Sequence, residues 1–500
     1  MIVNLAGFNI DIENISILEK SLNSENIAEI KDTLKKLHWT PETISASYAR
    51  ISRSPLSISK IREEARLEID KARKSNQNII FKMGHSSIAE HAFFNIDIID
   101  ITRLLSEELE KSRLLSFTEK SQRYIKIGKD IFYPESFKKD REFFDRYVNL
   151  TKELFDTYKF IHSELEKYFI DKYKVNEKSN DYRDVINLAK EDARYILPLS
   201  TLTQLGLSGN ARSLERLIGK LRTLKLREAN ELGDKIYNEI IKYAPSLIRY
   251  VSPKQDKDYQ DEYLKKITAK ICDSIKNSEN KKNNLDKDVE LIDYNTNGES
   301  SIATLFLLKN SSLSYKEAEN IVSKMGENDI LEILRKSISN LNFYDPLHKV
   351  YESLYFGFNI TISATAFAQL KRHRMATIID GEYDPKLGVK IPTSIIDINQ
   401  KGLFLEKIGE IDTLYNEATL KFGDEANYIL SNAHKKNLYI KLNFREFAHI
   451  ARLRLDKHSQ WDIREIVTSM VKEVERIYPK LSLLLSSKDD FLKNKDMFLE

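Results

Sequence analysis

Cysteine is nearly missing from this sequence: Cys272 is the single one in 500 residues. A lone thiol excludes a disulfide framework and a thiolate metal cluster, so no metal site is expected and a reducing, cytoplasmic compartment fits. Glycine and proline are sparse too, 15 and 10 residues, which describes an ordinary helix-rich protein and not a disordered one. An excess of either charge is lacking: 79 Lys and Arg stand against 76 Asp and Glu. No global basic field therefore argues for nucleic acid or an anionic membrane, and any anion must be held by local arginine clusters. Long apolar runs are lacking as well. Ser353 to Leu370 is free of charge, but Asn359, Thr361, Ser363, Thr365 and Gln369 interrupt it, so it reads as a buried strand entering a helix and not as a membrane span. The first residues, with Asp11 and Glu13 and no basic start, do not read as a signal peptide.

What is present is a repeat. Residues 46–57, ASYARISRSPLS, resemble residues 303–314, ATLFLLKNSSLS, and both precede amphipathic helical patterns. FFNIDIIDITRLLSEELEKSR, ending at Arg113, answers YFGFNITISATAFAQLKRHR, ending at Arg374; each is an alternating strand running into a helix. Arg194 answers Asn427 and Asn210 answers Asn443, at one shared offset of 233 residues. The expected organisation is a first unit over 1–252, a charged, solvated connector over 253–288 that contains Cys272, and a second unit over 289–500.

The densest polar cluster lies in the first unit: GHSSIAEH over Gly84–His91, then Ser116 to Tyr124. Glu119, Ser121 and Arg123 alternate, so an extended segment would turn all three to one face. A carboxylate, a hydroxyl and a guanidinium on one face suit a sugar phosphate. Read alone, the same spacing is a surface Glu/Arg pair, and His85 and His91 are satisfied structural histidines. In the second unit Gln369 precedes Arg372 and His373 by three and four residues, which places them on one helical face, with Arg374 next. Cations at a helix C-terminus also suit its dipole, so this triplet alone fits a solvated helix end equally well.

Together these pieces resemble a known family. RHR at Arg372–Arg374, GHSSIAEH upstream, and NFR at Asn443 with LRLDKHSQWDIR ending at Arg464 downstream look like the flavin-dependent thymidylate synthases. Arg454 to Arg464 is similar to that family's long C-terminal helix signature, and Ser116 to Tyr124 to its nucleotide-binding segment. The departures are complementary. The first unit has Lys111, Ser112 and Arg113 in place of RHR, with Glu108 at the glutamine position. The second has Asp384 at the place of Arg123 and Asn427 at that of Arg194, while Leu221 stands at the place of Arg454. Lys111 and Asp384 are thus expected to be dispensable.

The resemblance implies an α+β fold of two tandem units, each an antiparallel sheet with long helices, forming a pseudo-dimer. It implies an active site shared between them and a homodimer of tandem chains equivalent to a tetramer. For dUMP it implies Glu119, Ser121, Arg123 and Arg194 from the first unit with Gln369 and Arg454 from the second. Arg454 would polarise the uracil, and Arg123 and Ser121 are grouped with it as catalytic. For flavin it implies His85, Ser87, Glu90, Asn210 and Arg212 with Arg372, His373, Arg374, Asn443, Arg445 and His449. The implied reaction is dUMP to dTMP, with methylenetetrahydrofolate as one-carbon donor, FAD as cofactor and NADPH as reductant. Fixed cations would stabilise the negative charge that builds on flavin and uracil. A non-catalytic flavin- or nucleotide-binding relative and a flavin-folate pyrimidine hydroxymethylase remain alternatives.

Overall fold

A computed structural model describes residues 1–23, 26–125, 127–128, 130–252, 264, 266–272 and 287–500. Most of the expected connector lies outside the described residues. Two four-stranded antiparallel sheets stand one on each side of it. Strands β1 (Ile2–Phe8), β2 (Phe93–Thr102), β3 (Leu115–Glu119) and β4 (Leu202–Asn210) form the first, in the order β1-β2-β4-β3. Strands β5 (Val289–Tyr294), β6 (Tyr355–Ser363), β7 (Thr377–Tyr383) and β8 (Lys435–Asn443) form the second, in the matching order β5-β6-β8-β7.

The match reaches single residues. A register shift falls between Leu5 and Gly7 in β1 and between Leu291 and Asp293 in β5, at the same point of each ladder. Thr102 ends β2 and its hydroxyl accepts the Leu105 N–H to start the helix Arg103–Glu110. Ser363 ends β6 and does the same for Ala366 and the helix Ala364–Leu370. Such caps satisfy an orphan N–H and contribute about 1 kcal/mol each. Alternation along FFNIDII buries Phe94, Ile96 and Ile98, while the equivalent Phe356, Phe358 and Ile360 are buried in the second sheet. Each such side chain contributes roughly 1.5–3 kcal/mol of apolar burial.

The two units dock about a pseudo-two-fold axis. Leu199 N–H donates to Leu430 O at 2.7 Å and Asn432 N–H to Leu197 O at 3.0 Å, one contact seen from either side. Ser200 to Tyr428 and Ala433 to Tyr195 form a second reciprocal pair, at 3.1 and 3.0 Å. Pro198 and Ser431, equivalent positions in the two units, are bridged to each other, so the axis runs between them. This self-complementary pattern is that of an isologous dimer, here within one chain. Leu154 and Tyr158 of the helix Arg141–Tyr173 share one apolar cluster with Phe404 and Ile411 of the helix Lys401–Phe422. Lys407 with Glu153 and Arg146 with Glu417, at 2.6 and 2.7 Å, flank it. No described helix is long and apolar enough to cross a membrane.

Candidate active site

Strand β3 stops at Glu119, and the chain then turns through Gln122, Arg123 and Tyr124. The extended run expected for Glu119, Ser121 and Arg123 ends early because the Ser121 hydroxyl accepts the Arg123 N–H at 3.2 Å, curling the backbone. The turn still delivers all three side chains to one place. They line a cleft of about 230 Å³ together with Arg103, Gln122, Tyr124 and Arg194 from the first unit, and Thr365, Gln369, Arg372, Asn432 and Arg454 from the second. All six residues expected to meet dUMP are among these. Arg123 crosses the junction: its Nε pairs with Glu191, and its Nη2 donates to His458 O at 3.0 Å. Arg194 is buried, its Nε donates to Glu191 O at 3.2 Å, and its own carbonyl accepts from Asn432 Nδ2 at 3.0 Å.

Charge in the cleft is one-sided. Arg103, Lys120, Arg123, Arg194, Arg372 and Arg454 face a single lining carboxylate, Glu119. Burial works against ionising Glu119, but Arg103, Lys371 and Arg372 hold it below the usual carboxylate range. Arg454 is pushed down to about 10 by burial and by the neighbouring charges of Arg372 and Arg123. Arg454 stays charged at neutral pH, and cations crowded in this way favour binding of an anion. Three buried polar atoms around the cleft, Arg103 Nη2, Gln122 Nε2 and Asn432 Oδ1, have no hydrogen-bond partner among the described residues. Two donors and an acceptor left open in a cationic cleft suit a phosphorylated ligand with a polar ring.

The helix carrying Gln369 ends at Leu370, so Gln369, Arg372 and His373 do not share a face as the spacing predicts. Gln369 and Arg372 line the cleft, the latter 3.5 Å from Glu119. His373 turns into the interior, where its Nε2 accepts from Arg454 Nε at 2.9 Å and its ring meets His449 edge-on at 6.0 Å. Burial, then the charges of Arg454 and His449, drive its pKa well down, so it is a neutral acceptor that aims Arg454. The Gln369 backbone carbonyl accepts from Arg454 Nη2 at 3.1 Å and fixes the guanidinium from a second side. Arg374 donates to Arg113 O at 3.1 Å instead of reaching the cleft. The single long helix expected across Arg454–Arg464 is two: Phe444–Arg454, then Trp461–Glu475. Asp456 accepts the His458 N–H and Gln460 caps the second helix, which breaks the run.

Asn443, Arg445 and His449 line a separate cavity of about 440 Å³ in the second unit, walled by Phe343, Tyr344, Leu347, Met375 and Leu453. Leu453 faces this cavity and Arg454 faces the cleft, so the two spaces back onto one helix end. Arg452, also in its wall, has a buried Nε without a hydrogen-bond partner among the described residues. An apolar space edged by cations and an open donor fits the flat ring and phosphates of FAD. Both asparagines expected at flavin spend their side-chain oxygens as helix caps, Asn210 on Ser213 and Asn443 on Glu446. Arg445 pairs with Glu352 at 2.7 Å, and Arg212 with Glu90 is the same pair in the first unit. Glu352 is a residue the sequence reading missed; aligning β2 with its repeat equivalent β6 would have found it.

His85, Ser87, Glu90, Asn210 and Arg212 share no described cavity with Arg372–Arg374 or with Asn443, Arg445 and His449. None of these three cavities holds residues of both expected flavin sets. Asn210 and Asn443 end strands that begin next to Pro198 and Ser431, so each nine-residue strand carries its group away from the axis, at about 3.3 Å per residue.

The symmetry-equivalent place to the cleft is largely filled and keeps a cavity of only about 100 Å³, lined by Lys111 and Asp380, the equivalents of Arg372 and Glu119. Glu107 and Tyr383 stand there at the positions of the cleft residues Ala368 and Gln122, and Lys436 at the position of Thr203, all three buried. Lys436 Nζ lies 2.6 Å from Glu107 and 2.8 Å from Asp380, and the Tyr383 hydroxyl donates to Glu107 at 2.8 Å. Lys111 adds a 2.8 Å contact to Asp380 and a second to Glu108. Against the cost of burial, Lys436, Lys371 and Lys111 hold the Glu107 carboxyl down at about 2.

Comparison with known proteins bears on both units. The family profile described as thymidylate synthase complementing protein matches residues 34–246 and again 290–480. A UPF0159 protein of Chlamydia pneumoniae is 26% identical over 442 residues, 84% of this chain and 82% of its own. The flavin-dependent thymidylate synthase of Clostridium tetani is 29% identical over 224 residues, 44% of this chain and 86% of its own. A solved flavin-dependent thymidylate synthase of Helicobacter pylori, complexed with FAD and dUMP, covers 50% of this chain and 98% of its own at 17% identity and a TM-score of 0.30. With its two profile matches spanning most of the sequence, the chain belongs to the thymidylate synthase complementing protein family, as a tandem in which the family unit occurs twice.

Proposed function

We propose that this chain is an FAD-dependent thymidylate synthase that converts dUMP to dTMP, with methylenetetrahydrofolate as one-carbon donor and NADPH as reductant. The observation that carries this reading is the cationic cleft built from both units, with Glu119, Ser121, Arg123 and Arg194 facing Gln369, Arg372 and Arg454. Arg123 and Ser121 hold the phosphate, since a guanidinium and a hydroxyl at a turn offer several donors to one anion. Arg194, buried and braced by Glu191 and Asn432, holds the nucleotide from the side of the sugar and base. Arg454, aimed by neutral His373, stabilises negative charge developing on the uracil carbonyls. Asn443, Arg445 and His449 would hold FAD, with Arg372 to Arg374 nearby, and the flavin would supply the redox chemistry of the one-carbon transfer. Cys272 is exposed and belongs to no described cleft, in keeping with a route that needs no thiolate. We further read 1–252 and 289–500 as the two units, 253–288 as the connector, and a homodimer of tandem chains in the cytoplasm as the working form.

The test is spectroscopic and chemical. Purified protein should carry flavin absorbance that NADPH bleaches, and should form dTMP from dUMP and methylenetetrahydrofolate. Bound flavin with no dTMP would instead favour the non-catalytic relative, and 5-hydroxymethyl product the hydroxymethylase.

A further inference from the structure

The hydrogen bonds behind Gln369 have a direction. Gln460 caps the helix Trp461–Glu475 with its Oε1, which accepts the Ile463 N–H at 3.2 Å. A backbone N–H can only donate, so this contact fixes which end of the Gln460 amide is oxygen. Its Nε2 must donate, and it reaches the Tyr195 hydroxyl at 2.7 Å. Tyr195 donates onward to Asp462 Oδ2 at 2.9 Å, a carboxylate that also accepts the Ser363 hydroxyl at 2.5 Å. Tyr195, Gln460 and Asp462 are buried, and the Tyr195 ring stacks on Trp461 with centroids 5.6 Å apart. Gln369 joins this chain at the Gln460 oxygen, 3.5 Å from its own Nε2. An oxygen cannot donate, so the Gln369 nitrogen faces Gln460 and its carbonyl oxygen is the end left for the cleft it lines.

We propose that Tyr195 and Gln460 are positioning residues that lock the Gln369 amide with its carbonyl toward the ligand, so that the cleft selects uracil over cytosine nucleotides. The inference rests on the pyrimidine-nucleotide reading given above. Uracil N3 carries a proton that the carbonyl accepts. Cytosine N3 is a bare acceptor, and the locked amide would set lone pair against lone pair. Without the lock the amide can flip and serve either base. Tyr195 belongs to the first unit and the other members to the second, so the filter exists only when the two units are docked.

Calorimetric titration of dUMP and dCMP into the flavin-loaded chain tests this, with Gln460→Leu and Tyr195→Phe as variants. Phenylalanine keeps the stack on Trp461 and removes only the hydroxyl. The unsubstituted protein should prefer dUMP; Gln460→Leu should cut that preference by about tenfold or more, as expected for a lost oriented hydrogen bond. Tyr195→Phe should cut it by about threefold, because Ile463 still holds the Gln460 oxygen, and this variant decides the matter if Gln460→Leu does not fold. An unchanged preference in the variants, or both affinities weakened alike, overturns the lock. Equal binding of dUMP and dCMP by the unsubstituted protein overturns it as well. Binding of neither nucleotide sinks the pyrimidine reading itself and the inference with it.

Discussion

Lys436 Nζ stands 2.8 Å from Asp380, whereas the equivalent positions of the first unit hold Thr203 and Glu119. Exchange of Ala368, Gln122 and Thr203 for Glu107, Tyr383 and Lys436 separates the open cleft from its occupied counterpart. In the open cleft the cations face space for a ligand. In the filled one Lys436 and Lys111 are already matched to Asp380, Glu107 and Glu108.

Lys111 is therefore structural, although its sequence position marks it only as a lost flavin residue. Burial opposes its charge, yet Glu108, Glu107 and Asp380 more than restore it, raising its pKa. Lys111→Ala is expected to cost about 1.5–3 kcal/mol, because Asp380 keeps Lys436 and Glu108 keeps Lys220 but each loses one charge-assisted contact. Asp384 is exposed and only caps a short turn through the Lys386 N–H. Asp384→Ala should stay within about 0.5–1 kcal/mol. Denaturant unfolding of the two variants checks this; equal stability would mean that the ion-pair network carries no weight.

Arg454→Ala is expected to lower turnover by about 2.7–4 kcal/mol in barrier, the size of a lost oxyanion donor, while flavin content stays near that of the unsubstituted protein. The guanidinium faces the cleft, and the adjacent Leu453 faces the larger cavity, which is why the two readouts should separate. Flavin absorbance and dTMP formation on one preparation give both numbers. Loss of flavin alone would place Arg454 in the wrong site.

Asp192 accepts from Trp461 Nε1 at 2.7 Å and from Ser394 at 2.5 Å, tying the first unit to the second. Burial raises its pKa to about 7 against the opposing pull of those two bonds. Between its ordinary value near 4 and 7, the folded chain keeps a proton that the unfolded chain has lost. Stability from this group is thus present at the acid end and falls as pH rises through that window. Glu228 and Glu446, also raised to about 7 by burial, act in the same direction. Asp192→Asn should flatten the decline of Tm between about pH 4 and 7 without abolishing it. Identical slopes would show that Asp192 does not titrate there.

Cys272→Ala should leave dTMP formation unchanged, since the thiol is exposed and no residue of the cleft contacts it. A folded but inactive Cys272→Ala protein would require a thiolate mechanism and end the flavin account.

Periodicity made the repeat legible, because strand alternation and the helix caps Thr102, Ser363, Asn210 and Asn443 depend on local residue types. The resemblance, and not the spacing alone, named six residues for the nucleotide, and all six line one cleft. Less was visible where the outcome depended on partners far along the chain. The turn at Ser121, the break after Arg454 and the inward swing of His373 each follow from one hydrogen bond that periodicity does not encode. Arg103 and Asn432 escaped notice because nothing in their neighbourhoods marks them until the units dock. Filling of the second cleft by Glu107, Tyr383 and Lys436 was equally hidden, though aligning the two units position by position exposes it.

The central claim, one nucleotide cleft per chain built jointly by both units, is tested most directly by titrating dUMP into the flavin-loaded protein in a calorimeter, alongside Arg123→Ala and Arg454→Ala. The account predicts one dUMP per chain, with affinity reduced by about 1.5–3 kcal/mol in each variant, although the two arginines come from different units. Two dUMP per chain, or full affinity after loss of either arginine, would contradict it.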